Sequence, residues 1–333
     1  MRRLGIYLYY DPDGVVDDYV PFFLQQLSEY CDELAVVING DVDVVGKTKL
    51  ESHCNKVFVR ENIGYDSWAY KHVLEQYGYE RIQEFDELII CNYTFWGPIY
   101  PFAELFNEMG KRNCDFWGIH KHPAIPSAAF AGVSIEDHIQ SHFIVFRNSI
   151  LSDPKFQEYW DTLKPVNNYL EAIAHHELRC TKYFESLGYK SECYLDPDKY
   201  FKLFPESNAS ICYAYHQLEM DRCPILKRKA LFIQDGKISW PLQDGHDSMS
   251  IISFLRKNTS YDVDLIKKNL LRTKGATFFN GELPNNLHLK GKLYALLARL
   301  IPWKRAHYLK KYAKYYQNTQ CIRRVDFDRY FDR

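Results

Sequence analysis

The sequence has no close cysteine pair: nine cysteines, at 31, 54, 91, 114, 180, 193, 212, 223 and 321, stand singly. An odd count without a CxxC pair gives neither a disulfide framework nor a zinc site. There is no surplus of charge either. Lys+Arg number 42 and Asp+Glu 43, a formal net charge of −1, whereas a general nucleic-acid binder carries a clear basic excess. No apolar run approaches about 18 residues, so no membrane span is expected. Internal repeats and low-complexity tracts are absent. Arg2 and Arg3 precede the apolar run Leu4–Tyr10, but that run stops at Asp11-Pro12-Asp13-Gly14. It is too short for a signal segment and ends in a turn, which makes it a first strand. These absences predict a cytoplasmic protein in a reducing compartment.

What is present is globular in composition. Apolar residues make up 46% and charged residues 26% of 333 positions, enough for one large domain or two moderate ones. Aromatics are abundant at 16%, with 26 Tyr and 21 Phe; such rings stack on carbohydrate, although most are expected in the core. Charge is unevenly spread. Leu283 to Val325 holds ten basic residues and no acidic one, so the rest of the chain is net acidic, a statement about partners.

The first 120 residues alternate strands and helices. Strands are expected at Leu4–Tyr10, Glu33–Asn39, Lys56–Arg60 and Glu87–Cys91, with a further extended piece at Asp115–Ile119. Helices are expected at Val20–Tyr30, Ser67–Tyr77 and Phe102–Met109. Fully apolar strands alternating with helices predict an α/β fold with a parallel sheet covered on both faces. Ligands bind such sheets at the strands' carboxyl ends, so the loops of interest are 10–14, 39–45, 60–67, 91–98 and 119–127. Further on, His142–Arg147 and Tyr189–Leu195 read as strands and Pro154–Leu163 as a short helix. A long helix at Asn168–Leu187 is closed by Gly188. Met249–Lys257 and Val263–Arg272 read as helices. The expected organisation is a domain over 1–205 and an extension over 206–333, mainly helical, with a basic amphipathic segment at 287–316.

Three segments carry chemistry. Arg60-Glu61-Asn62-Ile63-Gly64-Tyr65-Asp66 leads from a strand end through glycine into a helix. Cys91-Asn92-Tyr93-Thr94-Phe95-Trp96-Gly97-Pro98 puts polar groups at the mouth of the fourth strand. His175-His176-Glu177 is followed eleven positions after Glu177 by Gly188-Tyr189. Polar groups at the fourth strand's end suit a nucleotide-sugar site, and a carboxylate on a later helix can take a proton from an acceptor hydroxyl. Each segment also has a plainer reading: Asn62 as a helix cap and Glu177 as a solvated helix carboxylate. The adjacent histidines lack the i,i+4 spacing of a metal pair and read as polar lining.

The stretches RENIGYDSWAYK (60–71), CNYTFWGPIYP (91–101), CDFWGIH (114–120), HIQSHFIVF (138–146), HELRCTKYFESLGYK (176–190) and CPILKRKALF (223–232) resemble the rhamnan synthesis protein F family of bacterial glycosyltransferases. The resemblance implies a GT-A-like (Rossmann-like) fold, an inverting glycosyl transfer and a role in cell-surface rhamnose polysaccharide synthesis. It implies dTDP-L-rhamnose as donor and a membrane-lipid-linked glycan as acceptor. In related family 2 enzymes a Glu-Asp pair heads a helix ending in Gly-Tyr, and the Asp is the base. Carried over, His176-Glu177 fills that pair, with Glu177 as base and His176 in the place of the supporting acid.

GT-A enzymes also present an Asp-x-Asp, or one Asp, at the fourth strand to hold a divalent ion such as Mg or Mn. Here Asn92-Tyr93-Thr94 has no carboxylate, so metal-free donor binding, a substitute acid and lost activity are all open. Asp41 and Asp43 spell Asp-x-Asp but follow the second strand, where the nucleotide base is contacted. Donor contacts are therefore assigned to Asn39, Asp41, Arg60, Asn62, Gly64, Asp66, Asn92 and Thr94. Trp96, His120, Gln140, His142 and His176 are assigned to the acceptor or diphosphate side. Arg60, His120, Lys121 and Arg147 are candidate cations for the leaving charge. A non-catalytic binding or scaffold protein on the same fold is the alternative. The tail, Leu289, Leu293, Leu296, Leu297, Leu300, Ile301 and Trp303 interleaved with Lys and Arg, has the character of an interfacial helix. It would place the protein peripherally on an anionic inner membrane face; packing on the domain is the competing outcome.

Overall fold

Hydrophobic runs long enough to be buried on both faces pair into a single central sheet in the computed structural model, which describes residues 1–124, 136–166, 168–196, 198–201, 209–231 and 248–280. The segment 287–316, and with it the expected interfacial helix, lies outside the described residues. The chain divides into two compact units, residues 1–94 with 101–197, and residues 95–100 with 198–333.

In the first unit the elements run β1 (Arg3–Tyr9), α1 (Tyr19–Ser28), β2 (Glu33–Asn39), α2 (Val44–Glu51), β3 (Lys56–Arg60), α3 (Tyr65–Tyr77), α4 (Tyr79–Ile82) and β4 (Glu87–Asn92). After β5 (Phe95–Trp96) of the second unit come α5 (Phe102–Lys111), β6 (Phe116–Gly118), β7 (Lys121–His122), β8 (His138–Ile139), β9 (Phe143–Arg147), α6 (Asn148–Leu151) and α7 (Pro154–Asp161). The unit closes with α8 (Tyr169–Ala172), a π-helical turn (Ile173–Glu177), α9 (Leu178–Ser186) and β10 (Ser191–Cys193).

The seven-stranded sheet has the order β10-β6-β9-β4-β1-β2-β3. β1 to β4 are mutually parallel and β6 and β10 are parallel, while β9 runs antiparallel to both β4 and β6. The fold is thus α/β, a mostly parallel sheet flanked by helices, as the alternation of strands and helices predicted. The reversed β9 is the antiparallel member of this mostly parallel sheet. It places His142 beside the carboxyl end of β4, where Asn92 N donates to His142 O at 3.1 Å, and Arg147 opposite Glu87 at the other end.

Alternate residues of each strand feed two cores. On one face Leu4, Ile6, Leu8, Leu88, Ile90, Phe116, Ile144 and Phe146 pack with Val73, Phe156, Tyr159, Trp160 and Phe184 of α3, α7 and α9. On the other, Tyr7 packs against Phe23 with the rings tilted, and Phe102, Phe106, Trp117 and Phe143 form a chain of ring contacts. The high aromatic content is therefore largely structural. Glu87, buried at the amino end of β4, is held by Arg3 Nε at 2.6 Å and Arg147 Nε at 3.4 Å.

Among its described residues the second unit pairs β5 antiparallel with β11 (Leu226–Lys227) and is otherwise helical: α10 (Asp198–Phe201), α11 (Ala209–Cys212), α12 (Ala214–Asp221), α13 (Ser248–Asn258) and α14 (Val263–Asn280). Tyr100 Oη donates to Leu218 O at 2.7 Å within it.

Candidate active site

The carboxyl ends of β1 to β4 collect the polar groups expected there. β2 ends on Asn39, buried, whose Oδ1 accepts from Arg60 Nη1 at 2.7 Å; Arg60 Nη2 donates to Ile63 O at 2.9 Å. Desolvation lowers the Arg60 pKa, opposed by Glu61, but a guanidinium keeps its charge at any working pH. Arg60 is thus a fixed cation at the end of β3, with other N–H groups besides the two bonded.

Gly64 makes the corner between β3 and α3. Its φ is +75°, and an added Cβ would lie 2.4 Å from Trp68 Cγ. Gly64 is itself the N-cap of α3, with no side-chain cap. Asn62 is exposed and does not cap the helix, so the plainer reading of Asn62 fails. The first turn of α3 supplies Asp66, whose Oδ2 accepts from Asn92 Nδ2 at 2.6 Å. Asn92 Oδ1 in turn accepts from Thr94 N at 3.1 Å and Thr94 Oγ1 at 2.7 Å. The carboxylate missing from 92–94 is therefore present at the end of β4, supplied from another element. Burial pushes Tyr70 well above the usual phenol range, so it stays neutral beside Asp66.

Asp41 is exposed. Asp43 caps α2, accepting from Gly46 N at 2.5 Å, and does not pair with Asp41 as a metal site. Among the described residues no group of three or more His, Cys, Asp or Glu is placed to hold a metal. The donor set at Asn92 is one carboxylate already bonded to an amide. It does not fit a protein-held divalent ion.

A second cluster adjoins the first through β9. His120 Nδ1 and His142 Nε2 lie 3.0 Å apart, both buried, so the pair holds one proton between those nitrogens. Gln140 N donates to His120 O at 3.0 Å. Ser141 N donates to Glu177 Oε1 at 3.1 Å, and His138 Nε2 lies 3.8 Å from the same oxygen. Backbone and side-chain bonds thus run from Asn92 through His142 and the 140–142 loop to Glu177.

Glu177 ends the π-helical turn, in which Leu178 N donates to Ile173 O. The expected helix over Asn168–Leu187 is accordingly present but interrupted at this point; π-turns concentrate at functional positions. His176 points elsewhere. It is buried, its pKa is lowered by desolvation, and Nε2 donates to Lys164 O at 2.9 Å, a carbonyl that also accepts from Trp68 Nε1 at 3.3 Å.

Two cations fall away. Arg147 spends its guanidinium on Glu87 and on the carbonyls of Met109, Arg112 and Cys114 at the amino end of β4, so it cannot serve a leaving group at the carboxyl ends. Lys121 is paired with Asp137 at 2.5 Å. Trp96 belongs to the second unit, where Arg228 lies over its ring at 6.0 Å. The residues not singled out from sequence are His138, Ser141 and Asp11. Asp11 is nearly buried in the β1–α1 loop, its Oδ1 accepting from Asp13 N at 3.0 Å and Val15 N at 3.3 Å. The available signal was the polar run His138-Ile139-Gln140-Ser141-His142, four polar residues in five directly before the apolar strand β9.

The sequence model of the family described as Rhamnan synthesis protein F matches residues 34–300. A curated relative, the uncharacterized protein y4gN of Sinorhizobium fredii (strain NBRC 101917 / NGR234), is 25% identical over 205 residues, covering 60% of this chain and 50% of its own. The chain thus spans about half the length of that relative. Among solved structures, HddC from Yersinia pseudotuberculosis is 10% identical with a TM-score of 0.30, covering 46% of this chain and 80% of its own. Glucosyl-3-phosphoglycerate synthase from Mycobacterium tuberculosis, in complex with Mn2+, UDP and glucosyl-3-phosphoglycerate, is 12% identical with a TM-score of 0.30, covering 45% and 58%. A 4-diphosphocytidyl-2C-methyl-D-erythritol synthase is 12% identical with a TM-score of 0.37, covering 57% and 86%.

Proposed function

This chain belongs to the rhamnan synthesis protein F family, and on that footing we propose that it is a glycosyltransferase of cell-surface polysaccharide synthesis. The donor is a nucleotide sugar, dTDP-L-rhamnose, and the acceptor a lipid-linked glycan. The observation that carries the reading is the gathering of polar groups at the carboxyl ends of β2, β3 and β4, the Arg60–Asn39 pair and the Asp66–Asn92 pair, with bonds leading from Asn92 through the 141–142 backbone to Glu177. It supplies a cation for a diphosphate at one end and a carboxylate for an acceptor hydroxyl at the other.

In this reading the acceptor hydroxyl gives its proton to Glu177 as its oxygen bonds to the anomeric carbon. The bond from that carbon to the diphosphate breaks with its electron pair, and the configuration inverts. Arg60 balances the charge that leaves with the nucleotide. The buried His120–His142 pair is polar lining on the acceptor side.

A panel of nucleotide sugars offered to the full chain with a polyprenyl-linked glycan tests this. The expected result is dTDP release only from dTDP-L-rhamnose, with an inverted linkage in the product. Retained dTDP binding with no transfer and no donor hydrolysis would favour the second reading, a binding or scaffold protein. The absence of a carboxylate within 92–94 is what favours that second reading.

A further inference from the structure

Beside Glu177 stand two histidines to which the proposed chemistry gives no part. His122 and His138 are cross-strand partners in the β7–β8 pair, and their rings stack at 5.3 Å with 14° between planes. Both rings are fixed in the same way: Nδ1 of His122 is 2.8 Å from Pro123 O, and Nδ1 of His138 is 2.8 Å from Glu136 O. A carbonyl only accepts, so Nδ1 carries the proton in each ring. Nε2 then presents a lone pair, or an N–H once the ring is charged. His138 Nε2 faces Glu177 Oε1 at 3.8 Å. A lone pair opposite a carboxylate oxygen repels; a proton on Nε2 turns the contact into an ion pair.

We propose that His138 is the positioning residue of Glu177, an imidazolium that, with the Ser141 N–H, keeps this carboxylate anionic and aimed at the acceptor. The proposal rests on the reading of Glu177 as the base. Both contacts fall on Oε1, which leaves Oε2 to receive the acceptor's proton. His138 neither gains nor loses a proton in the transfer, so the balance of the displacement is unchanged. Its charge costs Glu177 some basicity and in return keeps it ionised at lower pH.

The surrounding groups are compatible with a charge on His138. Asp137, held down by its hydrogen bond from Lys121, is an anion on the same hairpin. Glu136 is paired with Lys182 of α9 at 2.6 Å. On the helix side, Arg179 is bonded to Thr162, His175 is exposed, and His176 is turned to Lys164. Burial pushes the Cys180 thiol up to about 12, so it is neutral. His122 is pulled down to about 4, first by burial and then by repulsion from His138. Glu177 acts on His122 as well, but more weakly than the burial that pulls it down; among the described residues His138 is the one of the two rings with a carboxylate oxygen within 4 Å, at 3.8 Å.

Histidine 15N spectra of the donor-free full chain, titrated in the wild type and in Glu177→Gln, test the pair without any substrate. The expected result is that the His138 ring loses its Nε2 proton at a pH about one unit lower once the carboxylate is gone, a tenfold fall in proton affinity. An unchanged His138 titration overturns the proposal. In transfer assays His138→Gln should lower kcat with donor KM unchanged and move the acid limb of the pH profile upward. An unmoved limb in a folded, active variant would overturn it equally. Coupled titration in a protein that transfers no sugar from any donor would sink the base reading and leave the pair standing. Transfer that depends on Glu177, with no coupling, would do the reverse.

Discussion

Asn92 and Asp66, 26 positions apart in sequence, meet at 2.6 Å, the amide of one donating to the carboxylate of the other. The contact joins the end of β4 to the first turn of α3 and is made by a side chain that is 2% exposed. It makes Asn92→Asp an informative variant. Two carboxylates at that distance cannot both ionise without a cation between them, so one is raised in the folded state. A raised carboxyl stabilises the fold while protonated and loses that contribution as pH rises through its folded value. Asn92→Asp should therefore lose more thermal stability at pH 8 than at pH 5, and millimolar Mn2+ should restore part of the loss at pH 8. Equal losses at both pH values would show that the two side chains separate.

Glu177→Gln keeps an oxygen to accept from Ser141 N and removes the base. We expect kcat for sugar transfer to fall by about 10²–10⁴-fold with donor KM unchanged. Circular dichroism and melting should match the wild type. Transfer near the wild-type rate would remove Glu177 from the chemistry.

His122 gives an acid-side prediction whose sign follows from its direction of shift. Its pKa falls from 6.5 to about 4 on folding, so between those values the unfolded chain binds a proton that the native state refuses. Stability should decline as pH falls from 6.5 to 4, by at most on the order of 3 kcal/mol. Urea midpoints over that range should fall less steeply in His122→Gln. Identical slopes would mean that the ring protonates in place.

The basic segment 287–316 is testable by sedimentation. Each Lys or Arg near an anionic leaflet contributes roughly 1 kcal/mol, screened by salt. The full chain should pellet with phosphatidylserine vesicles at low salt and release at high salt, and a chain truncated after Asn280 should stay in the supernatant. Equal partitioning would assign the segment to ordinary surface.

The sequence made β1, β2 and β4 legible because each is an apolar run bounded by turn residues, buried on both faces; β3, a half-exposed edge strand, was short and β-branched enough to be found as well. It concealed the direction of β9, since the pattern of HFIVFR reads the same either way. That one reversal decides two site residues: it brings His142 to the site and carries Arg147 away from it. α2 had no periodic face to find, with only Gly46 and Leu50 buried. The Asp66–Asn92 contact is tertiary, and no spacing rule connects those positions. Glu177 was reachable through its distance from Gly188-Tyr189 and the family resemblance, whereas His138 needed the hairpin to place it.

The π-turn also says where this chain can change length. It carries one residue more than the helix on either side requires, and each residue of helix advances the direction of its side chains by about 100°. Removing Ala174 would close the turn into a regular helix. α9 would remain anchored by Cys180, Thr181 and Phe184, and Glu177 would remain opposite Ser141. Only the residues from Asn168 to Ile173 would swing round. Insertions and deletions there would re-aim the side chains that precede Glu177 and leave its contact with Ser141 in place, so the surface beside this carboxylate is free to vary in length while the carboxylate stays fixed.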